Sequence, residues 1–151
     1  MSLAFAPCLE KAVTQVKPVV DIQWEQTNSF ATEQWLRPAL RTLDELGNLQ
    51  DNWDGHGSPR INASAITKVR QLFSSIKTGD LPTPAVMPAS GGGVGVHWRI
   101  GKREMELTIY PDAEVVYLIA SEGDERSIQD GNLTEHYPDE LKRLTKWLAA
   151  I

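Results

Sequence analysis

Leucines at 36, 40, 43 and 46 recur at helical intervals and fall on one face, so the spacing predicts a helix that Gly47 ends. Pro38 fits such a helix only in its first turn or at a kink. After a polar loop, Asn62 is the expected N-cap of a second helix that turns Ile66, Val69, Phe73 and Ile76 inward, with Gly79 as its left-handed stop. The segment Leu81 to Pro88 carries three prolines, which hold it extended and bar it from the centre of a sheet.

From Val94 to Ile109 the period changes to two. The runs flank Gly101-Lys102, a pair suited to a two-residue type II′ turn, and setting Ile100 opposite Arg103 fixes the register. Val94 then faces Ile109, Val96 faces Leu107 and Trp98 faces Met105 on one side. On the other, Arg99 meets Glu104 and His97 meets Glu106. A slip by one residue would bury charge, so the pattern specifies its own pairing. Tyr110-Pro111-Asp112-Ala113 reads as a type I turn with a left-handed fourth residue, where glycine fits better than Ala113.

Glu114 to Ala120 is apolar on both faces, which predicts a central strand with Val116 and Leu118 covered by the N-terminal arm or by a second copy of the chain. Residues Ser121 to Asn132 are polar and glycine-bearing and read as loop. A last helix is expected from about Pro138, with Leu141, Leu144 and Leu148 inward and Asp139-Glu140 favourably placed in its first turn. Residues 1–28 form an N-terminal arm or edge strand in which only Val20, Ile22 and Trp24 alternate. Residues 29–151 form a single α+β domain: two N-terminal helices, an antiparallel meander of three to four strands, and a C-terminal helix.

The length of 151 residues fits one such domain, and the net charge of −5 narrows its partners. Residues 1–100 hold nine basic and nine acidic side chains, whereas residues 101–151 hold six against eleven. That acidic third repels phosphate backbones, and no basic stripe offsets it, so nucleic acid is not an expected partner. No run approaches the roughly 18 apolar residues that span a bilayer. The start, Met1 to Leu9, has no positively charged region ahead of a long apolar core, so the chain is expected to be cytoplasmic and off the membrane. Its one cysteine, Cys8, can form neither an intrachain disulfide nor a cysteine-based zinc site.

Asp51-Asn52-Trp53-Asp54-Gly55-His56-Gly57-Ser58-Pro59 gathers two carboxylates, an imidazole and a hydroxyl on a glycine-rich backbone. Asp54 and His56 are the catalytic candidates: together they could hold a divalent metal or act as an acid and base, the chemistry of a hydrolase. The preferred reading is structural. Asn52 and Asp54 bond to backbone amides, and Trp53 anchors the loop in the core. No second pair with metal-ligand spacing occurs, so neither a metal nor a cofactor is expected.

Asn52-Trp53-Asp54-Gly55 with Gly57 and Pro59, then a helix, a proline-rich extended piece, Gly92-Gly93 before a Val94-to-Trp98 strand, and a Pro-Asp turn resembles a group of small uncharacterised bacterial proteins. The resemblance spans about residues 36–120. It implies no activity, because the group has none established. Ala113 departs from the glycine that the resemblance leads one to expect in the turn.

The run Ser90-Gly91-Gly92-Gly93-Val94-Gly95 fits neither phosphate-binding glycine pattern and precedes a strand instead of a helix. Of the five tryptophans, Trp53 and Trp98 are expected in the core. Trp24, Trp35 and Trp147 are not required there; Trp24 and Trp35, with Asn52, Trp53, Asp54 and His56, make the candidate binding residues. The expected function is a non-enzymatic interaction module that binds another protein or itself. The competing expectation is a metal-dependent or acid–base hydrolase at Asp54 and His56.

Overall fold

A computed structural model describes residues 34–77, 81–134 and 137–150, all within the unit Thr32–Ile151. Trp24, Cys8 and the expected N-terminal strand lie outside the described residues. The chain runs through a helix over 34–47 (α1), helix Ala63–Ser75 (α2), strand Ala85–Ala89 (β1), a tight turn Ser90–Gly92 in which Gly91 and Gly92 take positive φ, and strand Gly93–Ile100 (β2). Strands Arg103–Ile109 (β3), Val115–Ser121 (β4) and Asp124–Leu133 (β5) and helix Tyr137–Ala149 (α3) complete it. The class is α+β, and the sheet is a five-stranded antiparallel meander in the order β1-β2-β3-β4-β5.

The β2–β3 hairpin has the register that its alternation demands, from Val94↔Ile109 through Val96↔Leu107 and Trp98↔Met105 to Ile100↔Arg103. Gly101 has φ 60°, as the first central residue of a type II′ turn requires. Ala113 has φ 74°, and its amide donates to the Tyr110 carbonyl at 2.8 Å, the left-handed fourth residue expected of that turn.

The sheet has five strands where three to four were expected, and the two beyond the three read from the pattern each have a reason. β1 is the proline-rich extended piece, paired to β2 at one edge of the sheet. Ile100 and Arg103 close their hairpin as a bonded pair, so Gly93, Gly95 and His97 turn their amides toward β1. Their partners Ala89, Met87 and Ala85 hold the ladder, and Pro88, which has no amide, stands where the amide would face solvent. β5 corrects the expectation of a loop over Ser121 to Asn132. It is the opposite edge strand, and it reads as polar because only Leu133 is buried along it. A register shift between Ile119 and Ser121 bulges its first half, a common protection of exposed edges.

One face of the sheet holds Val94, Val96, Trp98, Met105, Leu107, Ile109, Val115, Tyr117 and Ile119, all buried in one cluster with the three described helices. α3 contributes Leu141, Leu144 and Leu148, as its period predicts. α2 starts at the expected N-cap, where the Asn62 side chain accepts from the Ser64 amide at 2.8 Å. It buries Ala65, Val69, Leu72 and Phe73, with Ile66 only partly buried. It ends at Ser75 with Ile76 extended, short of Gly79, which lies outside the described residues.

α1 is rotated from its expected face. Trp35, Ala39, Leu43 and Leu46 are buried, while Leu36 and Leu40 are only partly so. Two apolar stripes overlap on this helix, and the one containing tryptophan buries more apolar area and wins. Trp35, Phe73 and Trp98 meet edge-on in a triad with ring centroids 5.6, 6.0 and 6.2 Å apart. Trp35 is therefore a core residue, 1% exposed, and the expectation of a surface aromatic there is corrected.

Two glycines are dictated by close approach. A Cβ on Gly93 would run into the carbonyl oxygen of Ile109, and one on Gly131 would lie 2.9 Å from Tyr117 Cε2, because the tyrosine ring covers its cross-strand neighbour. Among the described residues no helix is long and apolar enough to cross a membrane.

Candidate functional site

The loop from Asp51 to Arg60 is held by its own side chains. Asp51 Oδ1 accepts from the Arg60 amide at 3.0 Å, bridging the loop's ends. Asn52, at φ 63°, accepts through Oδ1 from the Gly57 amide at 2.6 Å, while its own amide donates to the Ser58 carbonyl at 2.7 Å. Asparagine tolerates that left-handed backbone better than other side-chain-bearing residues, which is why it stands there.

Asp54 is the hub. Its Oδ1 accepts from the His56 amide at 2.9 Å and the Ser58 amide at 3.3 Å, and its Oδ2 accepts from the Ser58 hydroxyl. The Ser58 hydroxyl first, then the His56 amide, hold its carboxyl below the ordinary carboxylate value of 3.8. A depressed carboxyl pKa suits a permanent acceptor and works against a proton-accepting base. His56 contributes its backbone to this arrangement and leaves its ring exposed. Asp54 and His56 are thus neighbours in a structural turn, without the ring-to-carboxylate bond that an acid–base pair needs. Among the described residues no group of three or more His, Cys, Asp or Glu side chains could hold a metal ion.

Trp53 differs from its expected place. Its side chain is 36% exposed, and Nε1 donates to the Pro59 carbonyl at 3.0 Å, so it clips the loop shut from outside instead of anchoring it in the core. Beside the loop an open groove of about 670 Å³ is lined by Pro59, Arg60, Asn62, Thr67 and Gly91 among others. Among the described residues Arg60 is its one ionisable lining residue, so no acid–base or nucleophilic set of described residues converges there. The glycine run beside it serves packing: the Gly92 carbonyl accepts from the Asn62 amide at 2.8 Å, and a Cβ at Gly92 would meet the Arg60 carbonyl at 3.0 Å.

The second candidate is the sheet face turned away from the helices. Successive rows across the strands read Met87, Gly95, Thr108, Val116, Asn132, then Ala85, His97, Glu106, Leu118, Asp130. Met87 is 37% and Leu118 39% exposed; the N-terminal arm, one of the two covers expected over Leu118, lies outside the described residues. Ile128, 55% exposed, lies in the bulged part of β5, beyond the regular pairing that ends at Ile119↔Gln129.

Charge on this face is ordered diagonally. His97 Nε2 lies 2.9 Å from Glu104 Oε1 instead of bonding to Glu106, its partner in register. Arg99 reaches Glu104 at 3.4 Å and Glu122 at 2.9 Å. Backbone alternation names the neighbours but not which long carboxylate a cation selects, and Glu122 enters from a turn that period-two reading does not reach. Glu106 and Asp130 make no ion pair among the described residues.

Trp147 is half-buried at the end of α3, with the Arg103 guanidinium 4.9 Å above its ring. Comparison of the chain with protein-family models, with curated proteins and with solved structures found no match.

Proposed function

We propose that the protein is a protein-interaction module whose contact surface is the outer face of the sheet. The observation that carries this reading is the placement of exposed apolar side chains: Met87 and Leu118 share the face, with half-buried Val116 beside Leu118 on β4. A helix-backed sheet of five strands gives them a rigid platform. Apolar side chains gathered within a polar rim are the usual composition of a binding surface. Glu106, Asp130 and the nearby Glu122 oppose phosphate groups, which favours protein over nucleic acid. The Asn52–Pro59 loop then serves as a brace between α1 and α2.

The test is a photo-cross-linking residue placed at position 118 or, as control, at exposed Lys142, with cross-linking carried out in the native host. The expected result is a discrete protein adduct from 118 alone, competed by excess unlabelled protein but not by its Leu118→Asp variant. Equal patterns from both positions would refute the reading. Light scattering distinguishes self-association from binding of another protein: a dimer that Leu118→Asp dissociates identifies the partner as a second copy.

A further inference from the structure

Taking the outer sheet face as the contact surface, we infer that its occupant is a cationic amphipathic segment of another protein, two basic side chains flanking an apolar one. One cross-strand row sets Leu118 directly between Glu106 and Asp130. Leu118 is exposed, and neither carboxylate has a cation among the described residues. Two basic side chains of the face are engaged elsewhere, since His97 lies against Glu104 and Arg99 bridges Glu104 and Glu122. Recognition of a basic partner therefore requires no ion pair to break.

The spacing defines the partner further. Neighbouring strands lie about 4.8 Å apart, so the two carboxylate-bearing backbones are separated by roughly 10 Å, two strand intervals. Basic residues seven apart on a helix rise about 10.5 Å, and residues three or four along sit between them on the same side. A helix with Lys or Arg at i and i+7 and a leucine-like residue at i+3 or i+4 matches the row, with Val116 and Met87 of the next row extending the apolar contact. A second copy fits poorly. A two-fold axis through Leu118 would set Glu106 and Asp130 of one chain against the same acids of the other, and like charges repel.

The probe is a synthetic helical peptide carrying Lys at i and i+7 and Leu at i+3 and i+4, titrated into the ¹⁵N-labelled full chain beside a matched peptide with Glu for Lys. The expected shifts lie on the amides around Met87, Glu106, Val116, Leu118 and Asp130, with the lysine peptide only. Glu106→Gln with Asp130→Asn should weaken binding about threefold to tenfold, and Leu118→Ser should weaken it independently. Unchanged spectral dispersion shows that each variant is folded. Equal binding of the glutamate peptide, or no loss in Glu106→Gln/Asp130→Asn, overturns the inference while leaving the face as a contact surface. Shifts spread equally over Asp112, Glu114, Asp124 and Glu125 mean unspecific attraction and overturn it too, as does absence of binding by the lysine peptide. The cross-link from position 118 decides the contact surface separately.

Discussion

Arg103 caps the helix that contains Trp147: its guanidinium donates to the Trp147 carbonyl and, at 2.8 Å, to the Ala150 carbonyl, while lying over the Trp147 ring. The last carbonyls of a helix have no intrahelical partner, and a cation there also meets the negative end of the helix dipole. A residue at the start of β3 thereby fastens the C-terminal end of α3 to the sheet.

Arg103→Ala should destabilise the fold by about 1–2 kcal/mol, combining lost charge-assisted bonds and the ring contact. Arg103→Lys should restore only part: both bonds leave from the one nitrogen Nη1 and an ammonium can replace them, but it lacks the planar face that lies over the Trp147 ring. Urea denaturation followed by far-ultraviolet circular dichroism measures both. No loss in Arg103→Ala would mean that the cap is replaced by water at no cost.

Gly47 and Gly93 should respond oppositely to alanine. A Cβ at 93 collides with the Ile109 backbone, which cannot move without parting β2 from β3, so Gly93→Ala should cost about 1–3 kcal/mol. Gly47 has no positive φ, and among the described residues a Cβ there meets only Ile66 Cδ1, at 4.0 Å. The left-handed stop expected at Gly47 is thus absent, and Gly47→Ala should stabilise by about 0.5 kcal/mol. Paired denaturation midpoints decide it.

Ala113→Gly should stabilise the protein by about 0.5–1 kcal/mol. The φ of 74° costs an L side chain more than glycine's extra freedom in the unfolded chain takes back. A thermal midpoint that falls in this variant would show that the Ala113 methyl makes a compensating contact.

Asp54 sets an acid limit for the 51–60 loop. Because its pKa is lowered in the folded chain, its contribution to stability is complete above the ordinary value of 3.8 and is lost as pH falls through the folded value. Hydrogen exchange at the His56 and Ser58 amides should accelerate, relative to amides of the sheet, only below about pH 3.8, and Asp54→Asn should abolish that transition. Zn²⁺, Mn²⁺ and Mg²⁺ should raise the melting temperature of wild type no more than that of Asp54→Ala. A selective rise in wild type would reveal a native-state metal site.

Much of the local chemistry was legible in the sequence. The hairpin register from Val94↔Ile109 to Ile100↔Arg103, the Asn62 cap and the left-handed Ala113 all follow from interactions within a few residues or between strands joined by one short turn. The Asp54 carboxylate bonded to backbone amides was legible for the same reason. β5 was not, because an edge strand needs little apolar alternation once β4 offers it a ladder.

The tryptophans mark the boundary most clearly. Trp53 sits in an apparently anchoring motif yet is exposed, and Trp35 lies off the leucine stripe yet is buried in the aromatic triad. Which of two overlapping stripes a helix buries depends on the shape and area of the sheet it meets, a quantity spread over many distant residues. The sequence by itself determined the class of fold, the β2–β3 pairing and the acidic C-terminal third. Only the tertiary structure decided which aromatics are available, which carboxylates on the outer face lack a cation among the described residues, and that Leu118 lies exposed between two of them. Those properties depend on what packs where, and local spacing carries no record of it.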